Sequence, residues 1–408
     1  MLENLFASRI DTKSQSRLVG LFPDNNFTDT ISFGGGCPDE QLFPAKELTA
    51  AYQDAVCRQM NHSFQYHDIK GPERLREYLA ARAHDKMGID HVTADDVMLT
   101  AGGQQGIELV AKLFIGKGDA MAVEAPSYIG ALAAFDACEP RYYQVGMESD
   151  GANLDQFEAI LKEHPEIKLF YTVPDFHNPT GITMSLKKRE RLVELANKYD
   201  FVILEDTPYR DLRYHGQSLP SIKSLDTEGR VIFLSSFSKI LTPAFRLGWL
   251  VASPEIKEQL TSLKLAEDLE VPYIPSATVD SYIANNDLDQ HIEKLKDLYR
   301  AKLDAMYRDL KRNLPAGTKL SHPEGGFFFW IELDPEIDTT SMLWEQSVPD
   351  QHLIYVPSEN FYPNRDIKNG MRVNFTGSTI EQISDGCRRL RTVIDGAEIS
   401  LPELSVAI

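Results

Sequence analysis

The stretch VIFLSSFSKILTPAFRLGW, residues 231–249, gives the strongest indication of both fold and chemistry in this chain. Its first four residues, Val231 to Leu234, are apolar and predict a buried strand. We expect this strand to carry Lys239 from its carboxyl end into the protein interior. Because a buried ammonium group is costly, the amine of such a lysine should have a chemical function. Covalent linkage to the aldehyde of a cofactor is one such function, since a desolvated and activated amine forms a Schiff base.

The polar residues around Lys239 suit the binding of a phosphate group. Ser236 and Ser238 could bond phosphate oxygens, and Arg246 could hold the same phosphate with its planar guanidinium. The same residues also allow a plainer interpretation, with Lys239 on the surface beside a turn and Arg246 in an ordinary salt bridge.

Length and composition narrow the class of protein. A chain of 408 residues with 42% hydrophobic residues predicts two domains, and a net charge of −19 argues against nucleic-acid or anionic-membrane binding. The four cysteines (Cys37, Cys57, Cys138 and Cys387) are far apart and show no metal-binding spacing. The start of the sequence lacks a signal-peptide pattern, and no apolar run is long enough to span a bilayer. We therefore expect a cytoplasmic protein with reduced thiols and no bound metal.

Alternating apolar runs and helical patterns predict an α/β fold with a mostly parallel seven-stranded sheet sandwiched by helices. The predicted strands are Val97–Thr100, Ala120–Glu124, Tyr142–Val145, Lys168–Val173, Phe201–Glu205, Val231–Leu234 and Leu247–Ala252. Near Ala277 this alternation gives way to a long charged amphipathic stretch, which predicts one connecting helix to about Asn313. We expect a large domain over residues 46–285, and a smaller α+β domain formed by residues 1–45 and 286–408.

Several polar residues follow these strands, at the edge where open α/β sheets bind ligands. Residues 100–106, Thr-Ala-Gly-Gly-Gln-Gln-Gly, begin a helix and offer backbone amides for an anion, or form a simple glycine turn. Asp206 and Tyr209 follow another strand and fit the ring nitrogen and ring oxygen of a pyridine cofactor, whereas a helix cap or buried counter-ion is the alternative role for the acidic residue.

Three further positions are candidates. Asn178 lies in the turn Asn-Pro-Thr-Gly, which is as readily structural as functional. Tyr128 could stack on a ring, although a core tyrosine is the usual alternative. Arg372, in an alternating strand pattern, could clamp a carboxylate or could be an exposed edge charge.

Together these segments resemble the fold type I pyridoxal-5′-phosphate (PLP) enzymes, specifically the class I/II aminotransferases. The likeness extends from Ile31 to Arg372 and is greatest to the branch with 2-aminoadipate and kynurenine aminotransferases and the effector domains of MocR-type regulators. The resemblance implies that Lys239 forms the Schiff base, Asp206 pairs with the pyridinium nitrogen and Tyr128 stacks on the ring. The resemblance also implies that Tyr209 and Asn178 bond the ring oxygen. The residues that it implies for the phosphate are Gly103, Gln104, Ser236, Ser238 and Arg246.

The resemblance also implies a homodimer and a substrate site. A tyrosine in the position of Tyr66 reaches the phosphate of the partner subunit. Arg372, with Asn178 and Gly36, would bind the α-carboxylate of the substrate, and Arg17 stands where some relatives bind the distal group of the substrate.

Four positions depart from the usual motifs of this branch. Gly103 replaces a serine, Cys37 replaces a leucine, and Asp175 and His177 stand where Asn and Gln are more frequent. These departures leave the cofactor site intact and affect the choice of substrate.

The expected reaction is reversible, ping-pong transamination with Lys239, Asp206 and Tyr209 as catalytic residues; the resemblance implies 2-oxoglutarate as the acceptor. Another PLP reaction, by a β-lyase, racemase or decarboxylase, is the first alternative, because the fold does not fix the reaction. A non-catalytic PLP-binding effector module is the second; its relatives carry an N-terminal winged helix, for which there is little sequence before Gly34.

Overall fold

A computed structural model of the chain describes residues 5–7, 9–10, 17 and 29–399. Strands and helices are numbered here in chain order over these residues. The strands are β1 Ile31–Ser32, β2 Val97–Thr100, β3 Ala120–Ala125, β4 Arg141–Glu148, β5 Gly151–Ala152, β6 Leu169–Thr172, β7 Val202–Asp206, β8 Val231–Ser236, β9 Gly248–Val251, β10 Lys319–Leu320, β11 Phe328–Glu332, β12 Leu353–Ile354, β13 Val356–Pro357 and β14 Gly370–Asn374. The α-helices are α1 Ala45–Gln59, α2 Glu73–Met87, α3 Gly102–Phe114, α4 Ile129–Asp136, α5 Leu154–Glu163, α6 Leu186–Tyr199, α7 Pro254–Glu267, α8 Tyr273–Asn285, α9 Leu288–Asn313, α10 Thr339–Met342, α11 Val348–Gln351 and α12 Ile380–Ile399.

The larger sheet has the strand order β2-β9-β8-β7-β6-β3-β4-β5. Neighbouring strands from β8 through β4 are parallel, whereas β9 runs antiparallel to both β8 and β2. Every residue of β2, β6 and β8 is buried, because helices cover both faces of the sheet, and this explains their continuous apolar runs. The predicted α/β sheet is therefore confirmed; the eighth strand is the two-residue β5, too short to leave a pattern in the sequence.

A second sheet, of order β10-β11-β14-β13, lies later in the chain and is antiparallel. Its strand β11 and the preceding Phe327 place three consecutive buried phenylalanines in the core. The N-terminal strand β1 pairs in parallel with β12, so that Ile31 lies opposite Leu353. The division into residues 46–285 and residues 1–45 with 286–408 stays a prediction, with which this long-range pairing agrees.

The predicted single helix from Ala277 to Asn313 is wrong, because the chain forms two helices, α8 and α9, in this region. Asn286 adopts an extended conformation at the end of α8, and the side chain of Asp287 accepts a hydrogen bond of 3.0 Å from the Gln290 amide to cap α9. Asn and Asp favour such caps over helix interiors, since their side chains compete for backbone hydrogen bonds. A cap within a continuous amphipathic pattern is what the sequence interpretation missed.

Among the described residues, no helix combines the length and the apolar character needed to cross a membrane.

Candidate active site

A cavity of about 400 Å³ lies at the carboxyl edge of β6, β7 and β8 and beside the start of α3. The parallel register of these strands brings residues from distant parts of the sequence to the same edge. Twelve of the fourteen site residues predicted from the sequence line this cavity: Gly36, Gly103, Gln104, Tyr128, Asn178, Asp206, Tyr209, Ser236, Ser238, Lys239, Arg246 and Arg372. Tyr66 and Arg17 are the two that do not.

Lys239 follows β8 and extends its amine into the cavity. Its Nζ donates a hydrogen bond of 2.8 Å to the carbonyl oxygen of Gly36. Loss of water around the amine lowers the pKa of Lys239 from 10.5 to about 8. The lowered pKa leaves a fraction of the amine neutral near physiological pH, and a nucleophilic or proton-accepting amine must be neutral.

Asp206 ends β7 and is 4% exposed. Its Oδ2 accepts a hydrogen bond of 2.8 Å from the hydroxyl of Tyr171, which lies in the neighbouring strand β6. Burial raises the pKa of Asp206 to about 7, because the ionised carboxylate has little water to solvate it. A cation placed beside Asp206, such as a protonated ring nitrogen, would therefore be strongly attracted to it.

Sequence interpretation did not single out Tyr171. The only signal was a hydroxyl-bearing residue in the otherwise apolar start of Leu169–Thr172. That signal is weak, because tyrosine is common in buried strands and its partner Asp206 is 35 residues away in the chain.

Arg372 lies in β14 and is 6% exposed. Its Nη1 donates to Asn178 Oδ1 at 2.9 Å and its Nη2 donates to the Gly34 carbonyl oxygen at 2.7 Å. The guanidinium lies 4.3 Å from the centre of the Phe328 ring, and its Nε has no hydrogen-bond partner among the described residues. Burial lowers the pKa of Arg372 to about 10. A buried guanidinium that lines a cavity and has one donor without an acceptor is suited to a carboxylate ligand.

Two aromatic side chains complete this side of the cavity. The Asn178 amide donates to the Tyr209 hydroxyl at 3.4 Å, and burial raises the pKa of Tyr209. The ring of Tyr128 packs directly over Gly130, where an added Cβ would lie 2.5 Å from the Tyr128 Cζ. Gly130 therefore makes room for the ring of Tyr128 at the cavity wall.

The start of α3 forms an anion cradle. Its N-cap is Ala101, whose side chain cannot cap the first turn, so the amides there have no side-chain acceptor at the cap. Gly102 has a φ of 79°, and a Cβ at this position would lie 2.6 Å from Nη2 of Arg246. Arg246 itself has a φ of 46°, a left-handed conformation that is uncommon outside glycine.

The hydroxyl groups opposite α3 face the same cradle. Ser236 Oγ donates to Ser238 Oγ at 2.9 Å, and both side chains line the cavity. The side-chain amide of Gln104 donates a hydrogen bond of 2.7 Å to the Gly130 carbonyl oxygen. The backbone of Gln104 is therefore the part of this residue that is left to bind a ligand. Free amides, two hydroxyls and an arginine around a glycine-lined turn fit a phosphate group.

Arg17 and Tyr66 lie elsewhere. The Arg17 guanidinium donates to Asp136 Oδ2 at 2.6 Å and to three backbone carbonyl oxygens, those of Asn360, Tyr362 and Pro363. These acceptors take four of the five N–H donors of Arg17, and its expected contact with the distal group of a substrate stays a prediction. Tyr66 is 73% exposed at the protein surface.

Two of the departures from the family motifs lie behind the cavity rather than in it. His177 is fully buried, with Nδ1 2.8 Å from Thr180 Oγ1 and Nε2 3.2 Å from Glu124 Oε2. Asp175 bonds to Arg189 and Arg210, each at 2.7 Å, and these cations hold the pKa of its buried carboxyl at about 2. Both residues support the turn that carries Asn178.

An open, mostly parallel sheet with a buried lysine, a buried carboxylate and a turn suited to phosphate at its carboxyl edge fits the PLP-dependent enzymes of fold type I. The chain belongs to the family described as aminotransferase class I and II, whose profile matches residues 29–390. It is a PLP-dependent aminotransferase, and the resemblance inferred from its motifs is confirmed.

Individual relatives agree with this assignment. The aromatic-amino-acid aminotransferase 1 of Thermococcus litoralis is 40% identical over 371 residues, which cover 90% of this chain and 88% of that protein. The kynurenine aminotransferase of Pyrococcus horikoshii, solved in complex with PMP, has a TM-score of 0.90 and 36% identity over 97% of this chain and 98% of its own. The α-aminoadipate aminotransferase of Thermus thermophilus, complexed with N-(5′-phosphopyridoxyl)-L-leucine, has a TM-score of 0.88 and 29% identity over 98% of this chain and 100% of its own.

The raised pKa of Asp206 predicts a pH-dependent stability of the cofactor-free protein. The folded state holds a proton on Asp206 up to about pH 7, whereas the unfolded chain releases it near 3.8. Asp206 therefore destabilises the fold increasingly as pH rises through this window. We expect Asp206→Asn to become more stable than wild type as pH rises from about 4 to 7, by a few kcal/mol, since one pKa unit corresponds to about 1.4 kcal/mol.

Urea unfolding of both cofactor-free proteins at several pH values measures this difference. Asp85→Asn, an exposed position on α2, is the matched control and should show no such trend. A stability difference between wild type and Asp206→Asn that stays constant with pH would contradict the assignment.

Proposed function

We propose that this aminotransferase uses Lys239 as its PLP-bearing lysine and passes amino groups to 2-oxoglutarate in a ping-pong reaction. The observation that supports the role of Lys239 most directly is its amine, with a pKa lowered to about 8, in the same cavity as Asp206 and Arg372. The likeness to aminotransferases over most of the chain supports the reaction.

PLP supplies an aldehyde for the amino group and a ring that withdraws electrons from the substrate Cα. Lys239 Nζ removes the proton from Cα and returns it, because an amine with a pKa near neutrality can act as both base and acid. Asp206, held by Tyr171, keeps the proton on the ring nitrogen. Tyr209 and Asn178 hold the ring oxygen, and Tyr128 covers the ring.

The phosphate and the substrate carboxylate are held by separate groups. The phosphate would bind Gly103 and Gln104 of α3 together with Ser236, Ser238 and Arg246, all of which line the cavity. Arg372 would bind the α-carboxylate next to Gly36 and Asn178, because its Nε has no acceptor among the described residues and its Nη1 already orients Asn178. Fixing the carboxylate there orients Cα toward Lys239.

The surface around Tyr66 supports a homodimer in which Tyr66 contacts the cofactor phosphate of the partner subunit. Met60, Phe64 and Tyr66 are 66%, 74% and 73% exposed, and such a concentration of large apolar side chains is typical of an interface. A cytoplasmic location agrees with the four free cysteines, and the net charge of −19 argues against nucleic-acid binding.

Substitution of Lys239 tests the central assignment. We expect Lys239→Ala to lower turnover at least about 1000-fold, since acid–base catalysis alone contributes about 10²–10⁴-fold. Borohydride reduction of the wild-type holoenzyme should fix the cofactor on the peptide that contains Lys239, as read by mass spectrometry. Lys187→Ala, at an exposed lysine on α6, is the control. Labelling of a different lysine, or near-normal turnover by Lys239→Ala, would show that the assignment is wrong.

The requirement for an acceptor tests the reaction. With an aromatic, branched-chain or dicarboxylic amino acid as donor, the enzyme should release one equivalent of 2-oxo acid per active site and then stop. Added 2-oxoglutarate should restore continuous turnover, because it removes the amino group from the cofactor. A β-lyase or a decarboxylase would turn over continuously without an acceptor, and that result would reject transamination as the main reaction.

Mixed dimers test the role of Tyr66. Tyr66→Ala should weaken PLP binding and lower activity at limiting PLP, and Lys239→Ala should be inactive. Co-expressed chains that carry one substitution each should regain activity, because one site of each mixed dimer then has both native residues. If Tyr66 acts within its own subunit, or the protein is monomeric, no activity returns. Tyr66→Ala chains paired with themselves, which keep a weakened activity, provide the background.

A further inference from the structure

An ion pair with a buried lysine lies behind the phosphate cradle, outside the cavity itself. Lys264, near the end of α7, has only 1% of its side chain exposed. Its Nζ donates to both carboxylate oxygens of Asp268, each at 2.7 Å. Such an ion pair does little for stability, because removing charge from water opposes the attraction between the partners. Its presence therefore needs another explanation.

Gln105 connects this ion pair to the turn before α3. Its Nε2 donates to Asp268 Oδ2 at 2.6 Å, and its Oε1 accepts from Lys264 Nζ at 3.2 Å. The same Oε1 accepts from the Ala101 amide at 2.7 Å. Because Lys264 and the Ala101 amide can only donate and Asp268 only accepts, the amide of Gln105 has one allowed orientation. Three residues thus hold one backbone amide.

We infer that Gln105, Lys264 and Asp268 are positioning residues for the phosphate of PLP. Ala101 is the N-cap of α3, and Gly102 and Gly103 follow it directly. By fixing the Ala101 amide, the three residues fix where the next amides point, while the Arg246 guanidinium packs against Gly102. An anion gains most from amides that are already oriented, since no binding energy is then used to order them. The inference rests on the proposed phosphate role of this turn.

Binding of PLP and of pyridoxal to the full-length protein, freed of cofactor, tests this inference. Pyridoxal has the same ring and aldehyde but no phosphate, so their ratio of affinities isolates the phosphate contribution. We expect Gln105→Met and Lys264→Met each to weaken PLP binding about tenfold, a change of about 1.4 kcal/mol, with little change for pyridoxal. Gln105→Met leaves the pair of Lys264 and Asp268 intact and so guards against misfolding of the other variant.

Two controls make the outcomes distinguishable. Lys112→Met also removes one lysine charge, but from α3 rather than α7. Because Lys112 pairs with Glu108 and Glu267 at the surface, this substitution should not change the ratio of PLP affinity to pyridoxal affinity. Arg246→Ala reports on the proposed phosphate site itself and should reduce the preference for PLP.

If Arg246→Ala reduces this preference while Gln105→Met keeps the wild-type ratio, the positioning role is rejected and the phosphate site stands. If Arg246→Ala keeps the ratio, the phosphate site is wrong and the inference fails with it. If Gln105→Met weakens the binding of PLP and of pyridoxal equally, the substitution disturbs the whole cofactor site. That result would also reject the positioning role.

Discussion

The desolvation of Lys239 is the constraint on which the rest of the site depends. Burial disfavours the charged forms of Lys239 and Asp206, so their pKa values, about 8 and about 7, approach each other from opposite directions. Neither group forms a salt bridge with another described residue; the Lys239 amine instead donates to the Gly36 carbonyl oxygen. A protein interior that disfavours the charges of two such groups and pairs neither of them is suited to a ligand that supplies their partners. We propose that the aldehyde and the ring nitrogen of PLP are these partners.

Sheet geometry brings these groups together. Strands β7 and β8 are parallel, with Asp206 opposite Leu234, so the segments that follow them leave the sheet at one edge. The antiparallel strand β9 then contacts the turn before α3 at the same edge: a Cβ on Gly248 would lie 2.7 Å from the backbone of Gly102. Glycine at this position allows the two backbones to approach closely. The position of the anion cradle thus follows from the strand order and from the absence of a side chain at Gly248.

The sequence sufficed to predict seven of the eight strands of the main sheet and twelve of the residues that line the cavity. Strands buried on both faces leave continuous apolar runs, and ligand-binding residues follow them at strand ends. Interactions between distant residues left no such pattern. Tyr171 with Asp206, and Gln105 with Lys264 and Asp268, are ordinary residues until the fold joins them. The cap at Asp287 was hidden for a different reason, because the amphipathic pattern continues through it.

The departures from the family motifs separate into two groups by position. Asp175 and His177 are buried behind the cavity. Arg189 and Arg210 neutralise Asp175, whereas His177 bonds to Thr180 and lies 3.2 Å from Glu124 Oε2. Since each has its own partners, the turn with Asn178 is held without the usual amide side chains. Gly103 and Cys37 instead line the cavity. Gly103 still offers its backbone amide to an anion, whereas Cys37 presents a smaller side chain than leucine beside Gly36. Of the four departures, only Cys37 changes the shape of the cavity on the side where Gly36 and Arg372 would bind substrate.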